Sequence, residues 1–257
     1  MCLKIINMKQ MFYCVMTSWF LFISSCQTTV TVRGIAGTRI PVDSTYNQST
    51  DLTVMSIIQS YKSQLDEQMN VVIGEAAARM WAAIPESPLT NLTADVILAE
   101  ANKQAQTDFS IMNHQGIRAT VNQGAITLGN MYELFPFENQ LVMLDLKGQY
   151  VEDLFKFYAR KGGEGVSSSV QLVIKDKTIH SLLINGKPLD KDKTYRIATI
   201  DYLAQGNDGM KALSYAENIT TNNKLLRTLL VEYVKEQTAQ GKSIHAVNDG
   251  RIKIISQ

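Results

Sequence analysis

The chain has 257 residues, of which 45% are apolar and 19% are charged, and its formal net charge is +1. This composition is typical of a folded protein with a hydrophobic core. It argues against a protein that binds nucleic acid, because such proteins usually carry a clustered basic surface. Here the lysines alternate with acidic residues, as in residues 187–193, so we expect no nucleic acid polymer among the partners.

The N-terminus has the pattern of a secretion signal. Lys4 and Lys9 precede an apolar run over residues 11–23, which is short for a membrane span. Ser24 and Ser25 then lead to Cys26 in a pattern that resembles a bacterial lipobox, which implies cleavage before Cys26 and lipid attachment to it. A plain signal peptide or a single transmembrane anchor is the alternative.

Three segments are therefore predicted. Residues 1–26 form the signal, and residues 27–50, which are rich in Thr, Ser, Gly, Gln and Asn, form a flexible tether. Residues 51–257 form the folded domain. We expect a protein of the cell envelope that is lipid-anchored after secretion, on its periplasmic or surface face.

Two helices are predicted early in this domain. Asp51 can cap the first, which should bury one face because its apolar residues recur at the helical period. These residues are Val54, Ile57, Ile58, Tyr61, Leu65 and Met69. The second helix is predicted from Asn91, with Leu92, Val96 and Ala99 on its buried side.

The middle of the chain alternates between strand and helix patterns. Residues 109–112 and 141–146 are predicted strands, and residues 129–134 and 150–160 are predicted helices. Residues 161–165 contain three glycines and are predicted to form a flexible loop.

The C-terminal part adds a hairpin of strands 170–175 and 179–184, a strand over 194–199 and a strand over 252–255. Asn222 is predicted to cap a helix that runs to about residue 237. Strands alternate with helices but also form a hairpin, so we predict an α+β fold with mixed sheets and packed helices.

The segment over residues 108–118 carries the first candidate site residues. A short apolar strand ends there in polar residues, a glycine and an arginine. Asn113 and Arg118 lie five residues apart across the glycine turn, so an amide and a guanidinium can converge on one anionic or polyhydroxyl ligand.

Two later segments supply complementary groups. Residues 134–139 place the aromatic ring of Phe137 beside the amide of Asn139. Residues 201–209 place the phenol ring of Tyr202 and the carboxylate of Asp208 on a glycine-rich loop.

In this order the three segments resemble the C-terminal, substrate-binding domain of bacterial and animal 5'-nucleotidases. The family pattern is roughly Asn-x-Gly-Gly-Ile-Arg, then Pro-Phe-x-Asn, then Tyr/Phe-Leu-Ala-x-Gly-Gly-Asp-Gly, and the likeness runs from about Asp51 to the C-terminus. The resemblance implies that the matching positions contact the ligand. These positions are Asn113, Arg118, Phe137, Asn139, Tyr202 and Asp208.

Each candidate has a nucleotide-binding role and a plainer alternative. Phe137 and Tyr202 can stack on a base, or can be core residues. Asp208 can accept hydrogen bonds from ribose hydroxyls, or can be a turn residue, and Arg118 can pair with phosphate or ribose oxygens, or form a surface salt bridge. The two asparagines can orient the ligand, or can be common loop residues.

The family enzymes hydrolyse phosphoesters with two metal ions held in an N-terminal phosphoesterase domain. The chain has three histidines, His114, His180 and His245, and shows none of the metal-binding motifs of that domain. We therefore expect no metal site, no cofactor and no catalytic residue in this chain, and a divalent metal only in a partner metallophosphoesterase. The family arginine that precedes a Glu-x-x-Leu-x-Asn-Leu stretch is replaced by Pro85, which predicts phosphate recognition weakened by roughly ten- to a hundredfold.

The first hypothesis is therefore a nucleotide- or nucleoside-binding subunit of a split 5'-nucleotidase, which acts with a separate metallophosphoesterase. The alternative is a non-catalytic envelope lipoprotein that binds a small ligand, and the loss at Pro85 favours it. A structural envelope domain with a closed pocket is the third hypothesis. Whether the chain itself counts as an enzyme stays open.

Overall fold

The computed structural model describes Tyr13, Gly34, residues 36–45 and residues 51–255. Its contacts divide the chain into two units, Met1–Leu52 and Thr53–Gln257. The predicted signal lies outside the described residues apart from Tyr13, and the predicted tether is described only in part. Cleavage before Cys26 and its lipidation therefore stay predictions. Among the described helices, none is both long and apolar enough to cross a membrane.

Helices and strands alternate through residues 51–255. The helices are α1 (Leu52–Met69), α2 (Pro88–Asn102), α3 (Leu128–Leu134), α4 (Gly148–Lys161), α5 (Asp201–Ala204) and α6 (Leu226–Ala239). The strands are β1 (Val72–Ala76), β2 (Phe109–Met112), β3 (Gly124–Thr127), β4 (Gln140–Lys147), β5 (Gly165–Val166), β6 (Val170–Lys175), β7 (Thr178–Ile184), β8 (Lys187–Pro188), β9 (Thr194–Ile200), β10 (Asn218–Leu225) and β11 (Ile252–Ile255).

The described strands form three sheets. Their strand orders are β1-β3, β10-β4-β9-β2-β5 and β11-β6-β7-β8. β2 with β9 and β6 with β11 are parallel pairs, and the other pairs of named strands are antiparallel. The predicted α+β class with mixed sheets is confirmed.

The helix predicted after Asp51 is present as α1, but the prediction that it buries one face is wrong. No residue of α1 is buried, and Ile57, Tyr61 and Leu65 are each more than half exposed. A helical period shows which side of a helix is apolar, but it does not show what covers that side. α1 thus presents an apolar surface of the kind that usually marks an interaction site.

The second helix begins earlier than predicted. Ser87 caps α2 by accepting a hydrogen bond from the backbone of Thr90, whose side chain bonds back to the backbone of Ser87. Pro88 occupies the first turn, where its missing N–H costs nothing. Val96 is buried as predicted, but Ala99 is exposed.

Asn222 does not cap a helix, so that prediction is also wrong. It lies in β10, where its side-chain oxygen accepts a hydrogen bond from the backbone N–H of Lys224, two residues on. This local bond accompanies an irregularity in the pairing with β4, between Thr221 and Leu225. The helix begins after the irregularity, at Leu226.

Strand β9 places the candidate site, because it lies between β2 and β4. β2 is parallel to it, with Phe109 opposite Ile197, and β4 is antiparallel, with Leu141 opposite Ile200. Parallel strands end at the same edge of a sheet, and an antiparallel neighbour begins there. The segments that follow β2, follow β9 and precede β4 therefore meet at one edge.

Polar side chains tie β9 to both neighbours. The Arg196 guanidinium donates to both carboxylate oxygens of Asp145 on β4, at 2.8 and 3.1 Å, and this hydrogen bonding lowers the pKa of Asp145. On the other side, the backbone N–H of Arg196 donates to Asp108, which precedes β2, at 2.9 Å. The Thr199 hydroxyl donates to the carbonyl of Ile111 at 3.1 Å.

We expect Asp145→Asn to lower the free energy of unfolding by about 1 kcal/mol near pH 7, as is typical of a partly exposed ion pair. The folded-state pKa of Asp145 lies below its unfolded value. The ion pair therefore stabilises the fold at pH values above the ordinary aspartate pKa of about 4. This stabilisation is lost as the pH falls through the folded-state pKa. Urea unfolding across this pH range measures it, with the exposed Asp192→Asn as the control. If the difference in unfolding free energy between the native protein and Asp145→Asn did not shrink at low pH, the ion pair would not be its cause.

Candidate functional site

Three of the six candidate residues form one hydrogen-bonded unit at this sheet edge. Asn113, which directly follows β2, donates from its side-chain nitrogen to Asp208 at 2.6 Å. The Tyr202 hydroxyl donates to the other carboxylate oxygen of Asp208 at 2.9 Å. The two loops that follow β2 and β9 are thus joined through the Asp208 carboxylate.

The loop that carries Asp208 has a backbone that few sequences can adopt. Gly206, Asp208 and Gly209 all have positive φ angles, of 86°, 54° and 83°. A side-chain carbon at Gly209 would also lie 2.7 Å from the ring of Phe157 on α4, so this position has room only for glycine. The glycines of the motif therefore shape the loop that presents Asp208.

Two residues replace glycines of the family pattern without strain. Neither Gln115 nor Asn207 has a positive φ angle. The Asn207 side chain instead donates to the carbonyl of Tyr202 at 2.8 Å, which holds the loop together. Neither replacement therefore needs the left-handed backbone that favours glycine.

Tyr202 is held by its hydroxyl but leaves its ring accessible. The hydrogen bond to Asp208 raises the pKa of the phenol, because loss of the proton would place a second negative charge beside the carboxylate. The residue is 41% exposed. The core-packing alternative therefore does not apply to Tyr202.

The loop before β4 carries Phe137 and Asn139 and is anchored at both ends. The buried Arg227 donates to the carbonyl of Phe135 at 2.8 Å, and the backbone N–H of Leu226 donates to the carbonyl of Asn139 at 2.9 Å. Phe137 lies between these anchors and is 51% exposed, so the core-packing alternative fails for it as well.

Arg118 lies beside this loop. Its backbone N–H donates to the carbonyl of Leu134, the last residue of α3, at 2.9 Å. Its exposed guanidinium donates only to the carbonyl of Gln115, at 3.3 Å, among the described residues. The salt-bridge alternative therefore does not describe Arg118 in this structure, and its charge is available to a ligand.

The six candidates thus divide into two groups. Asn113, Tyr202 and Asp208 are in direct contact, and the remaining side-chain oxygen of Asn113 is buried without a hydrogen-bond partner in the described part of the chain. Arg118, Phe137 and Asn139 come from the same sheet edge but form no hydrogen bond with that unit. Their use as a ligand pocket stays a prediction.

Sequence reasoning missed a buried carboxylate beside the unit. Glu164 is fully buried, so the prediction of a flexible loop over residues 161–165 is wrong. Its carboxylate accepts hydrogen bonds from the His114 ring at 2.8 and 2.9 Å, from the His114 backbone N–H at 3.1 Å and from Lys161 at 2.8 Å. A glutamate between glycines gives no sequence signal of burial, because its partner lies 50 residues away.

Pro85, which replaces the family arginine, lies against the same loop. A side-chain carbon at Gly163 would be 2.5 Å from the backbone of Pro85. The following residue, Glu86, is buried and accepts hydrogen bonds from the backbone N–H groups of Gly250 and Ile252, both at 2.9 Å. Glu86 therefore anchors the C-terminal segment rather than a ligand.

No group of three or more His, Cys, Asp or Glu side chains in the described part of the chain could hold a metal ion. The expectation that metal and catalytic residues belong to a partner is not tested by this and stays a prediction.

Comparisons with known proteins identify the family of the chain. A family model described as 5'-nucleotidase, C-terminal domain, matches residues 70–215. The protein UshA of Yersinia enterocolitica is 28% identical over 194 residues, which make up 73% of this chain and 35% of that protein. A 5'-nucleotidase of Vibrio vulnificus is 26% identical over 170 residues, or 64% of this chain and 31% of that protein.

A solved structure shows the same fold. The 5'-nucleotidase precursor from Thermus thermophilus superposes with a TM-score of 0.68 at 27% identity, and the match covers 80% of this chain and 43% of that chain. The chain spans about a third of the length of the curated relatives described above.

We expect Asp208→Asn to lower the pKa of Tyr202 toward the ordinary tyrosine value of about 10, because the carboxylate that raises it is removed. The ring-carbon NMR signal of Tyr202, identified by its absence in Tyr202→Phe, reports this pKa directly. If Tyr202 titrated identically in both proteins, the hydrogen bond would not exist in solution.

Proposed function

Since the chain belongs to the family of 5'-nucleotidase C-terminal domains, we propose that it binds a nucleotide or nucleoside at the edge where β2, β4 and β9 meet. The observation that carries the proposal is the Asn113–Asp208–Tyr202 unit, which fixes a carboxylate and an accessible aromatic ring next to each other. The rings of Tyr202 and Phe137 are both exposed, as a stacking surface requires.

In this proposal the base, the ribose and the phosphate of a nucleotide are each contacted by different side chains. The base stacks on Phe137 and Tyr202, which are fixed by their loops and therefore lose little freedom on binding. Ribose hydroxyls donate to Asp208, whose carboxylate keeps lone pairs beyond those used by Asn113 and Tyr202. The phosphate pairs with Arg118, whose guanidinium has only one weak partner among the described residues.

Hydrolysis is proposed to depend on a separate metallophosphoesterase. One observation supports this arrangement. The first helix of the domain, α1, presents Ile57, Ile58 and Leu65 at its surface. Exposed apolar side chains at helical spacing fit a helix that is covered by another protein surface.

The second candidate function is a non-catalytic envelope lipoprotein that captures a nucleoside or another small ligand. It is favoured by Pro85, which brings no charge to the place of the family arginine and packs against Gly163. Such a protein would bind its ligand without any partner. It would also discriminate little between AMP and adenosine.

Calorimetric titration with adenosine and AMP tests the binding proposal. We expect Tyr202→Ala to weaken the binding of both ligands by roughly five- to a hundredfold, since one stacked base contributes about 1 to 3 kcal/mol. Tyr215→Ala is the matched control, because this tyrosine is also exposed but stacks on Tyr150 outside the proposed pocket. If both variants weakened ligand binding equally, or if Tyr202→Ala bound the ligands as tightly as the native protein, the proposed pocket would be contradicted.

A phosphate-release assay separates the two candidate functions. If the chain is the binding half of a split enzyme, adding it to a purified metallophosphoesterase from the same envelope raises AMP hydrolysis, and Ile58→Asp on α1 abolishes the increase. Gln59→Asp, a neighbouring exposed position, should leave the increase intact. No increase with the native chain, together with tight adenosine binding by the chain alone, would favour the non-catalytic binder.

A further inference from the structure

A histidine outside the six candidate residues is built into the same sheet edge. His114 follows Asn113 directly, and its ring nitrogen Nδ1 lies 2.8 and 2.9 Å from the two carboxylate oxygens of Glu164. Glu164 is fully buried and also accepts a hydrogen bond from Lys161. The carboxylate cannot donate, so Nδ1 carries the proton and the ring orientation is fixed.

This arrangement leaves the other ring nitrogen for a ligand. The His114 side chain is 21% exposed, and Nε2 has no hydrogen-bond partner among the described residues. Neutral imidazole presents Nε2 as an acceptor, and protonated imidazole presents it as a charged donor. A histidine whose Nδ1 is held by a carboxylate presents Nε2 in a fixed orientation.

The charges around His114 favour an anion. Lys161 and Glu164 cancel each other, so a proton on His114 gives the cluster a net positive charge. Arg118 adds a guanidinium from the same turn, which is bonded to the carbonyl of Gln115. Asp208, the acid on the loop that follows β9, has both of its oxygens engaged by hydrogen-bond donors.

We propose that His114 is a ligand-contacting residue that recognises the phosphate of the bound nucleotide through Nε2. The proposal rests on the proposed function, because it requires a nucleotide at this sheet edge. Protonated His114 donates a charged hydrogen bond to a phosphate oxygen, and Arg118 pairs with the same group. Lys161 supplies the positive charge that balances Glu164 beneath the ring. Preference for AMP over adenosine then depends on His114, because adenosine has no phosphate for this residue to contact.

Calorimetry of the full chain at about pH 6 tests this, with His114→Asn as the variant. Asparagine keeps an N–H near the position of Nδ1 for Glu164 and lacks Nε2. The measured quantity is the ratio of the variant and native dissociation constants, in which the titration of AMP itself cancels. We expect a ratio of roughly ten to a hundred for AMP. For adenosine the ratio should be near one. His180→Asn, at an exposed position on β7, is the matched control.

The outcomes separate the two proposals. An AMP ratio near one, or adenosine binding weakened as much as AMP binding, overturns the role of His114 while nucleoside binding stands. Native protein that binds neither ligand overturns the proposed function, and this inference with it. If His114→Asn fails to fold in thermal melting, the ring-proton NMR signal of His114 in the native chain decides instead. It should move on addition of AMP but not of adenosine at about pH 6, and an unmoved signal overturns the proposal.

Discussion

The pairing of β9 with a parallel neighbour on one side and an antiparallel neighbour on the other is the constraint on which the site depends. It brings the end of β2, the end of β9 and the start of β4 to one edge, although the segments lie far apart in the chain. Arg196 fixes both pairings at once, through its guanidinium on Asp145 and its backbone N–H on Asp108. A shift in the register of β2 against β9 would separate Asn113 from the loop that carries Asp208.

The same edge combines fixed polar groups with exposed rings. Asp208 and Glu164 each accept hydrogen bonds from residues of the loop after β2, so two carboxylates hold neighbouring side chains of that loop, Asn113 and His114. Groups fixed before a ligand arrives cost little ordering entropy on binding. Hydrogen bonds hold the polar side chains in place, and the exposed rings of Phe137 and Tyr202 provide the apolar contact area.

Local patterns in the sequence were enough to predict those helices and strands that are determined by residues close together in the chain. The apolar face of α4 and the hairpin of β6 and β7, with positive φ angles at Asp176 and Lys177, follow from residues a few positions apart. Through the family resemblance, the motifs also assigned Asn113 and Asp208 to one ligand site, but they did not indicate the hydrogen bond between the two side chains. Features that depend on distant parts of the structure were missed. The residues of α1 do not show whether another surface covers its apolar side. The burial of Glu164 depends on a histidine 50 residues away. Asn222 was assigned to the wrong element, because a local side-chain bond looks alike at a helix start and at a strand irregularity.

A crystal structure of the chain with adenosine tests the central claim most directly, namely that the three loops form one nucleoside pocket. We expect the base to lie against the rings of Phe137 and Tyr202, and a ribose hydroxyl to lie within hydrogen-bond distance of Asp208. Adenosine bound elsewhere, for example in the cavity of about 390 Å³ lined by Asn91, Tyr233 and His245, with the rings of Phe137 and Tyr202 uncovered, would contradict it.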